Sequence, residues 1–346
     1  MVKNQAEEIR TYLLAKIPVH PKNIVAKASK AFACSRTTVH RHLNRLVRDG
    51  EIIKTGTTRQ AQYFLKTEKN KKIIVPLKDG VVEEHKVWQE NFLQDFVSLP
   101  KNIFDICQYG FTEMLNNAIE HSEGARVIIE TEWETNLVTI WIYDDGVGIF
   151  RKIKNTLNLE DERESALHLS KGKFTTDPEH HTGEGIFFTS RAFDDFLITS
   201  RGMSYIRENR DEDWFLEMAK DSKREGTALE MIMSLDSKRN LQEVFERYTG
   251  EDSEGIPKFD KTHIMVQLSK LGDERYVSRS QARRICLGLE KFKHVVLDFK
   301  DISTVGQGFV DEVFRVFHSK FPKIKIEYTN ANDDVRFMIE RSLPTS

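Results

Sequence analysis

The sequence is poor in cysteine and has no long apolar run. Its three cysteines, Cys34, Cys107 and Cys286, are widely separated and form no Cys-x-x-Cys pair, which argues against a structural zinc site or a disulfide framework. No apolar run approaches the roughly 20 residues that span a bilayer, and the amino terminus has no apolar secretory core. These absences predict a cytoplasmic protein without a membrane partner.

The composition is that of a globular protein with more than one domain. The chain has 346 residues, of which 39% are hydrophobic and 31% are charged, and this length suits two or three domains that each bury a core. The net charge of −2 is unevenly distributed: residues 1–72 contain 16 Lys and Arg against 5 Asp and Glu, and the remaining residues contain 36 against 49. A basic head on an acidic body predicts a polyanionic partner at one end only.

The head has the pattern of three helices and a hairpin. Helices are predicted near residues 5–16 and 23–32, and Ser35 is a candidate N-cap for a third helix that ends at Gly50. Residues 52–65 form two strand-like runs around a glycine-containing turn. This order resembles a winged helix-turn-helix domain.

The winged-helix resemblance implies DNA binding by the third helix and the wing. The polar side of the third helix would contact bases or phosphates, and Lys54 and Arg59 would contact DNA from the wing. The third-helix candidates are Arg36, Thr37, His40, Arg41 and Asn44. A winged helix that binds protein, with a solvated basic face, is the alternative, and RNA remains open as the polyanion.

Four separated fragments in the middle of the chain carry residue types that bind nucleotides. They are Glu113–Ser122, Asp144–Ile149, Thr182–Ile186 and Glu225–Thr227. In the first, a helix would place Glu113 and Asn117 on one face because they stand four residues apart. A carboxylate and an amide there could orient a water and hold Mg²⁺, an ion that prefers oxygen ligands and shares them with phosphate.

The second and third fragments suit the base and the phosphates. Asp144 follows the strand-like run 137–143, so its carboxylate could accept a hydrogen bond from an exocyclic amino group such as that of adenine. Gly183 and Gly185 open a new apolar segment, where glycines let backbone N–H groups approach phosphates closely.

In this order the four fragments resemble the N, G1, G2 and G3 boxes of the GHKL ATPase superfamily. That superfamily includes type II topoisomerases, heat-shock chaperone ATPases, histidine kinases and anti-sigma-factor kinases. The resemblance covers about residues 85–235 and implies an ATP pocket on a layered α/β sandwich, with Asn117 on Mg²⁺, Asp144 on adenine and a mobile lid over residues 150–185. The other ATP-binding candidates are Gly146, Gly148, Lys173, Thr182, Gly183, Gly185 and Thr227.

Two side chains bear on the chemistry. Within the expected lid, Lys173 could bring a cation to the phosphates, and a solvated loop is the alternative. Glu113 resembles the acid of topoisomerases, chaperones and anti-sigma kinases, and an acid can act as a general base on water or on a hydroxyl. Hydrolysis or Ser/Thr phosphotransfer is therefore possible. Autophosphorylation at His85 is not expected, because no long helical hairpin surrounds it.

The last part of the chain alternates strands and helices and predicts a small α/β domain. The run His294–Phe309 resembles the STAS-like domain, which is related to anti-sigma-factor antagonists. In the antagonists a serine at the start of the second helix takes the phosphate, whereas Gln307 and Gly308 stand there in this chain. The resemblance therefore implies partner binding or self-association, as a homodimer for example, and not phosphate acceptance.

Together these patterns predict an α/β multidomain protein: a winged helix over residues 1–72, a GHKL-type α/β sandwich over 73–250 and a small STAS-like domain over 258–346. The predicted function is an ATP-responsive DNA-binding transcriptional regulator with Mg²⁺ and ATP as cofactors. The alternative is a GHKL-type Ser/Thr protein kinase of the anti-sigma-factor class that acts on a STAS-like partner. An ATP-binding scaffold without turnover is also compatible with the sequence.

Overall fold

The computed structural model describes most of the chain, namely residues 2–18, 20–55, 61–65, 70–78, 80–173, 183–210, 213–218, 225–251, 257–269, 276 and 278–343. The described residues form a mixed α/β multidomain protein. The buried residues of the head form one hydrophobic cluster, and those of the middle and C-terminal parts form a second, continuous one. No helix in the described ranges is long and apolar enough to cross a membrane.

The head has the predicted order of three helices and two antiparallel strands. These are α1 (Val2–Lys16), α2 (Ile24–Ala31), α3 (Arg36–Arg48), β1 (Ile52–Thr55) and β2 (Gln62–Leu65). Ser35 caps α3 as expected, because its Oγ accepts a hydrogen bond from the Thr38 backbone N–H at 3.1 Å. Val39, Leu43 and Leu46 of α3 are buried at helical spacing, which turns the opposite, polar side of this helix outward.

The middle part is built on a seven-stranded antiparallel sheet in the order β3-β4-β5-β9-β6-β7-β8. Its strands are β3 (Lys71–Pro76), β4 (Arg126–Trp133), β5 (Leu137–Asp144), β6 (Asp195–Ser200), β7 (Met203–Glu208), β8 (Asp213–Met218) and β9 (Ala228–Ser234). Its helices are α4 (Glu84–Asn91), α5 (Leu93–Phe96), α6 (Lys101–His121), α7 (Ile149–Leu157), α8 (Arg163–Lys171), α9 (Gly185–Ala192) and α10 (Leu241–Tyr248).

The long helix α6 packs against the middle strands of this sheet, β5 and β9. Its buried residues recur every three or four positions from Ile103 to Ala118, which is the spacing of one helix face. Gly110 lets α9 approach closely, since a Cβ there would lie 2.3 Å from the Phe193 ring. The helix expected to carry Glu113 and Asn117 is confirmed as α6, and the strand-like run 137–143 is confirmed as β5, which ends one residue later.

Two parts of the middle region differ from the prediction. The sheet begins at Lys71, so β3 starts inside the segment assigned to the head, and the Lys71 ammonium pairs with the buried Asp95 carboxylate at 2.6 Å. The segment expected to be an aperiodic lid contains two helices, α7 and α8. Two short paired strands, β10 (Thr249–Glu251) and β11 (Pro257–Phe259), follow α10.

The C-terminal part has the predicted alternation around a parallel sheet of order β12-β13-β14. The strands are β12 (Lys261–Met265), β13 (His294–Asp298) and β14 (Lys325–Thr329). The helices are α11 (Arg279–Cys286), α12 (Gln307–Val310), which continues through the π-helical turns Asp311–Phe317 into α13 (His318–Lys320), and α14 (Asp333–Ser342).

Candidate functional site

A cleft of about 290 Å³ opens beside α6 and collects residues from all four sequence fragments. This volume lies near the lower end of the range for small-molecule sites. Its polar lining includes Glu113, Asn116, Asn117, His121, Asp144 and Thr227. Its apolar lining includes Ala118, Ile149, Ile153, Leu169, Ile186, Phe187 and Leu229. Polar groups that converge inside apolar walls are typical of a ligand site.

Helix α6 supplies Glu113 and Asn117 from positions one turn apart, as their spacing predicted. Both side chains line the cleft. The Asn117 Nδ2 atom is buried and has no hydrogen-bond partner among the described residues. A buried amide without a partner is costly, so this group is suited to a ligand that completes its hydrogen bonding.

Asp144, the last residue of β5, is 9% exposed at the floor of the cleft. Its Oδ1 atom accepts hydrogen bonds from the backbone N–H groups of Gly146 at 2.9 Å and Thr227 at 3.2 Å. Burial raises the pKa of this carboxyl, and the two backbone hydrogen bonds oppose that shift. The Thr227 hydroxyl accepts from the Ile149 N–H at 3.1 Å, so the second and fourth fragments form one hydrogen-bonded unit.

Two glycines permit close contacts that a side chain would prevent. A Cβ on Gly146 would lie 1.9 Å from the Ser122 backbone oxygen, and a Cβ on Gly185 would lie 2.1 Å from Glu113 Oε2. Gly146 therefore allows the loop after β5 to lie against the end of α6. Gly185 allows α9 to begin beside the Glu113 carboxylate.

Helix α9 begins inside the cleft. Gly183, Gly185, Ile186 and Phe187 all line it. The first N–H groups of a helix have no intrahelical acceptor, and the helix dipole favours an anion at this end. Together with Gly148, which also lines the cleft, these residues bring a candidate phosphate-binding end to the same space as Asp144.

Sequence reasoning missed Lys152, which also lines the cleft. Its ammonium donates a hydrogen bond to the His121 carbonyl at 2.6 Å and pairs with Glu123 at 2.9 Å. A signal was present, because Phe150, Ile153 and Leu157 have the i, i+3, i+7 spacing of an amphipathic helix. Recognising α7 would have placed Lys152 one turn after Gly148.

Lys173 is not among the described residues that line the cleft. Its ammonium donates to the Lys291 carbonyl at 2.8 Å and lies 4.7 Å from the centre of the Phe292 ring. These contacts bind the cation to the C-terminal part. Another candidate, Thr182, lies outside the described residues.

Helix α8 connects the cleft to the C-terminal part. Leu169 and Gly172 line the cleft, whereas the Lys171 ammonium is buried and donates to the carbonyls of Arg284 at 2.8 Å and Leu287 at 2.9 Å. Burial lowers the pKa of Lys171 to about 7. The Thr262 hydroxyl in turn donates to the Lys171 carbonyl at 2.8 Å, so β12 and α11 both bind the end of this helix.

The nucleic-acid candidates of α3 share one exposed face. Arg36, Thr37, His40, Arg41 and Asn44 are all exposed. Lys54 is exposed on β1, and Arg59 lies outside the described residues. Two further arginines of this helix, Arg45 and Arg48, lie 3.5 and 3.6 Å from Asp49 carboxylate oxygens, which partly neutralises them.

Comparison with protein families supports the C-terminal assignment. A family model described as "STAS-like domain of unknown function (DUF4325)" matches residues 281–336. A comparison with curated proteins found no match. The matched residues run from α11 to α14, and Gln307 begins α12.

Proposed function

We propose that the chain binds Mg-ATP in the cleft beside α6 and uses its occupancy to control DNA binding by the head. The observation that carries this proposal is that Asn117 and Asp144, 27 positions apart in sequence, open onto the same cleft. Glu113, Thr227 and the start of α9 line the same space. This arrangement supports the resemblance to the GHKL boxes.

The residues present suit such a ligand. The apolar walls would contact the adenine, and Asp144 would accept a hydrogen bond from its amino group. Asn117, whose Nδ2 atom has no partner among the described residues, would help hold Mg²⁺ through its amide oxygen, and the N-terminal turn of α9 would face the phosphates. Magnesium supplies charge neutralisation at the phosphates when it is bound.

The DNA part of the proposal is supported by the head. Three helices and a hairpin, with an exposed polar face on α3, suit insertion of that helix into the major groove. The positive charge of residues 1–72 is the electrostatic footprint expected for phosphate contacts. The overall acidity of the rest of the chain argues against a general affinity for nucleic acid.

Helix α8 contacts both the cleft and the C-terminal part, so a change in one can be transmitted to the other. Its Leu169 side faces the ligand site, and Lys171 is held by two carbonyls of the C-terminal part. ATP shifts domain packing or dimerisation only if it binds two arrangements with different affinities. Phe337 on α14 is 62% exposed, which suits a role of the STAS-like part in homodimer or partner contacts.

Titration calorimetry with Mg-ATP tests the nucleotide site. We expect saturable binding to the wild type and none to Asn117→Asp, because the substitution replaces the amide with a second negative charge near the phosphates. Asn155→Asp, on an exposed position of α7, is the matched control and should bind as the wild type does. If Asn117→Asp bound Mg-ATP with the affinity of the wild type, the assignment of this cleft as the nucleotide site would be contradicted.

A Ser/Thr protein kinase is the second candidate. It is favoured by the Glu113 carboxylate, which lies in the cleft beside the first residue of α9 and is placed to act as a general base. Labelled γ-phosphate on a STAS-like protein partner distinguishes this activity from regulation by binding. Glu113→Ala should abolish the transfer while Mg-ATP binding persists, and transfer undiminished in that variant would clear Glu113 of the role.

A further inference from the structure

A second cavity, of about 360 Å³, lies toward the end of α9 and is bounded by β7 and α10. Among the described residues that line it are five cationic side chains and one carboxylate, that of Glu243. The cationic residues are Arg191, Arg207, Lys238, Arg239 and Arg247. This concentration of one charge is unusual in an acidic body.

Two of the cations are buried in the protein. Arg191 is 2% exposed and Arg207 is 6% exposed. The Arg191 guanidinium donates to the carbonyls of Phe187 at 3.1 Å and Ser170 at 3.0 Å, and its central carbon lies 3.4 Å from the centre of the Phe187 ring. Arg207 Nε donates to the Asn209 side-chain oxygen. These hydrogen bonds orient the two guanidinium groups at the cavity.

The two buried arginines affect the neighbouring phenol of Tyr248. Burial by itself would raise the pKa of the Tyr248 phenol, yet Arg191 and Arg207 lower it below its usual value. Of the other cations, Arg239 is paired with Asp194 at 3.1 Å, whereas Lys238 and Arg247 are exposed at the edge of the cavity. Two buried guanidinium groups and two exposed cations therefore line one cavity.

We propose that this cavity is a second ligand site, which binds a small anion through a phosphoryl group. Guanidinium groups match the geometry of phosphate oxygens in paired hydrogen bonds, and the cavity volume suits a small molecule. Lys238 and Arg247 are the entry residues, and Arg191 and Arg207 form the base. The site is separate from the cleft beside α6 and does not depend on ATP binding there.

Calorimetry with inorganic pyrophosphate on the full chain tests the site. The Asn117→Asp background is used because that substitution places a negative charge at the phosphate end of the cleft beside α6, so that this cleft does not contribute to pyrophosphate binding. The double substitution Lys238→Ala and Arg247→Ala removes two exposed cations and should weaken pyrophosphate binding about tenfold or more. Arg341→Ala, exposed on α14, is the matched control and should leave the affinity unchanged.

Thermal melting gives a second readout, because the shift caused by the ligand is measured separately for each variant and does not depend on the variants having equal stability. Pyrophosphate should raise the melting temperature of the parent chain, because a ligand that binds only the folded state stabilises it, and should not raise that of the double variant. Parallel titrations with inorganic phosphate and with AMP show whether a free oxyanion or a phosphate ester is preferred. No binding by any of the three probes, or an equal loss in the Arg341 variant, would overturn the proposal.

Discussion

Asp144 has a structural role in the fold and, in the proposed function, also contacts the ligand. One carboxylate oxygen accepts hydrogen bonds from the backbone N–H groups of Gly146 and Thr227. These two bonds fix the conformation of the backbone at the base of the cleft. The carboxylate is nevertheless costly, since burial raises its pKa above the ordinary value of 3.8. Such a cost in a cleft is typical of a functional group.

Replacing Asp144 with Asn separates the two roles. The amide oxygen can still accept both backbone hydrogen bonds, but it carries no charge to orient the adenine amino group. A raised carboxyl pKa destabilises the folded state at pH values above 3.8. The unfolding free energy of Asp144→Asn at pH 7 should therefore equal or exceed that of the wild type, and any excess should disappear below about pH 3.8. Calorimetry should show no Mg-ATP binding.

Loss of stability together with loss of binding would contradict this assignment, because it would make Asp144 a purely structural residue. Urea denaturation at pH 7 and pH 3.5 measures the first quantity. The comparison needs only the wild type and the one variant.

Substitution of two glycines should likewise separate an effect on ligand binding from an effect on stability. Gly185→Ala would bring its Cβ within 2.1 Å of Glu113 Oε2, the end of a flexible side chain, whereas Gly146→Ala would bring it within 1.9 Å of the Ser122 backbone oxygen. We expect Gly185→Ala to displace Glu113 and weaken Mg-ATP binding with little change in stability. Gly146→Ala should cost about 1–3 kcal/mol of unfolding free energy. Denaturant titration and calorimetry of both variants check the contrast, and equal destabilisation would contradict it.

At the scale of elements, α8 carries the contact between the cleft and the STAS-like part. Its carboxyl end is held by Lys171, whose ammonium is buried against the end of α11. Burial lowers the pKa of this group from 10.5 to about 7. Between these values the unfolded chain binds more protons than the folded one, so this residue makes stability rise with pH from about 7 to 10.5.

Lys171→Met should remove that contribution. The unfolding free energy of the wild type should gain up to about 1.4 kcal/mol per pH unit from this group, and the variant should show a correspondingly flatter profile across the same range. Lys320→Met, at an exposed position of α13, is the control and should follow the wild type. Parallel profiles for all three proteins would show that Lys171 is not buried as a neutral amine at high pH.

The proposed DNA contact of α3 can be tested with substitutions in the head. Arg41→Ala should weaken DNA binding and reduce the slope of log affinity against log salt by about one phosphate. Arg48→Ala is the matched control because Asp49 already lies 3.6 Å from its guanidinium, so its effect should be smaller. Fluorescence anisotropy over a salt series measures both, and a flat salt dependence in the wild type would remove the nucleic-acid role.

The elements that the sequence predicted well are those with one buried face. Helix α6 buries residues at helical spacing from Ile103 to Ala118, and α3 buries Val39, Leu43 and Leu46. Helix α8 was missed because every residue from Glu164 to Lys171 is buried, and a helix that is enclosed on all sides shows no amphipathic period. The position of Lys173 was equally hidden, since its partner Lys291 lies 118 residues away.

At the scale of the whole molecule, the site residues could be named from the sequence but the connections between parts could not. The convergence of Glu113, Asn117, Asp144 and Thr227 follows from short motifs. The contacts of α8 with α11 and β12 join residues 113 and 91 positions apart, and the basic cavity beside α10 also collects residues from separate segments. Packing of this kind leaves no local pattern in a single sequence.

The proposed function assigns DNA binding to the basic head and Mg-ATP binding to the cleft, which reaches the C-terminal part through α8. Under that proposal Mg-ATP should change which DNA the protein retains, and how tightly, without contacting DNA itself. Because only differential binding shifts such an equilibrium, the effect should disappear when the cleft is disabled by Asp144→Asn, while nucleotide-independent DNA binding persists.

Capture of genomic DNA fragments by the full chain, with and without Mg-ATP, measures this link most directly. We predict a reproducible nucleotide-dependent change in the retained fragments or in their affinity for the wild type, and none for Asp144→Asn. Identical retention by the wild type in both conditions, at Mg-ATP concentrations that saturate the cleft by calorimetry, would contradict the account.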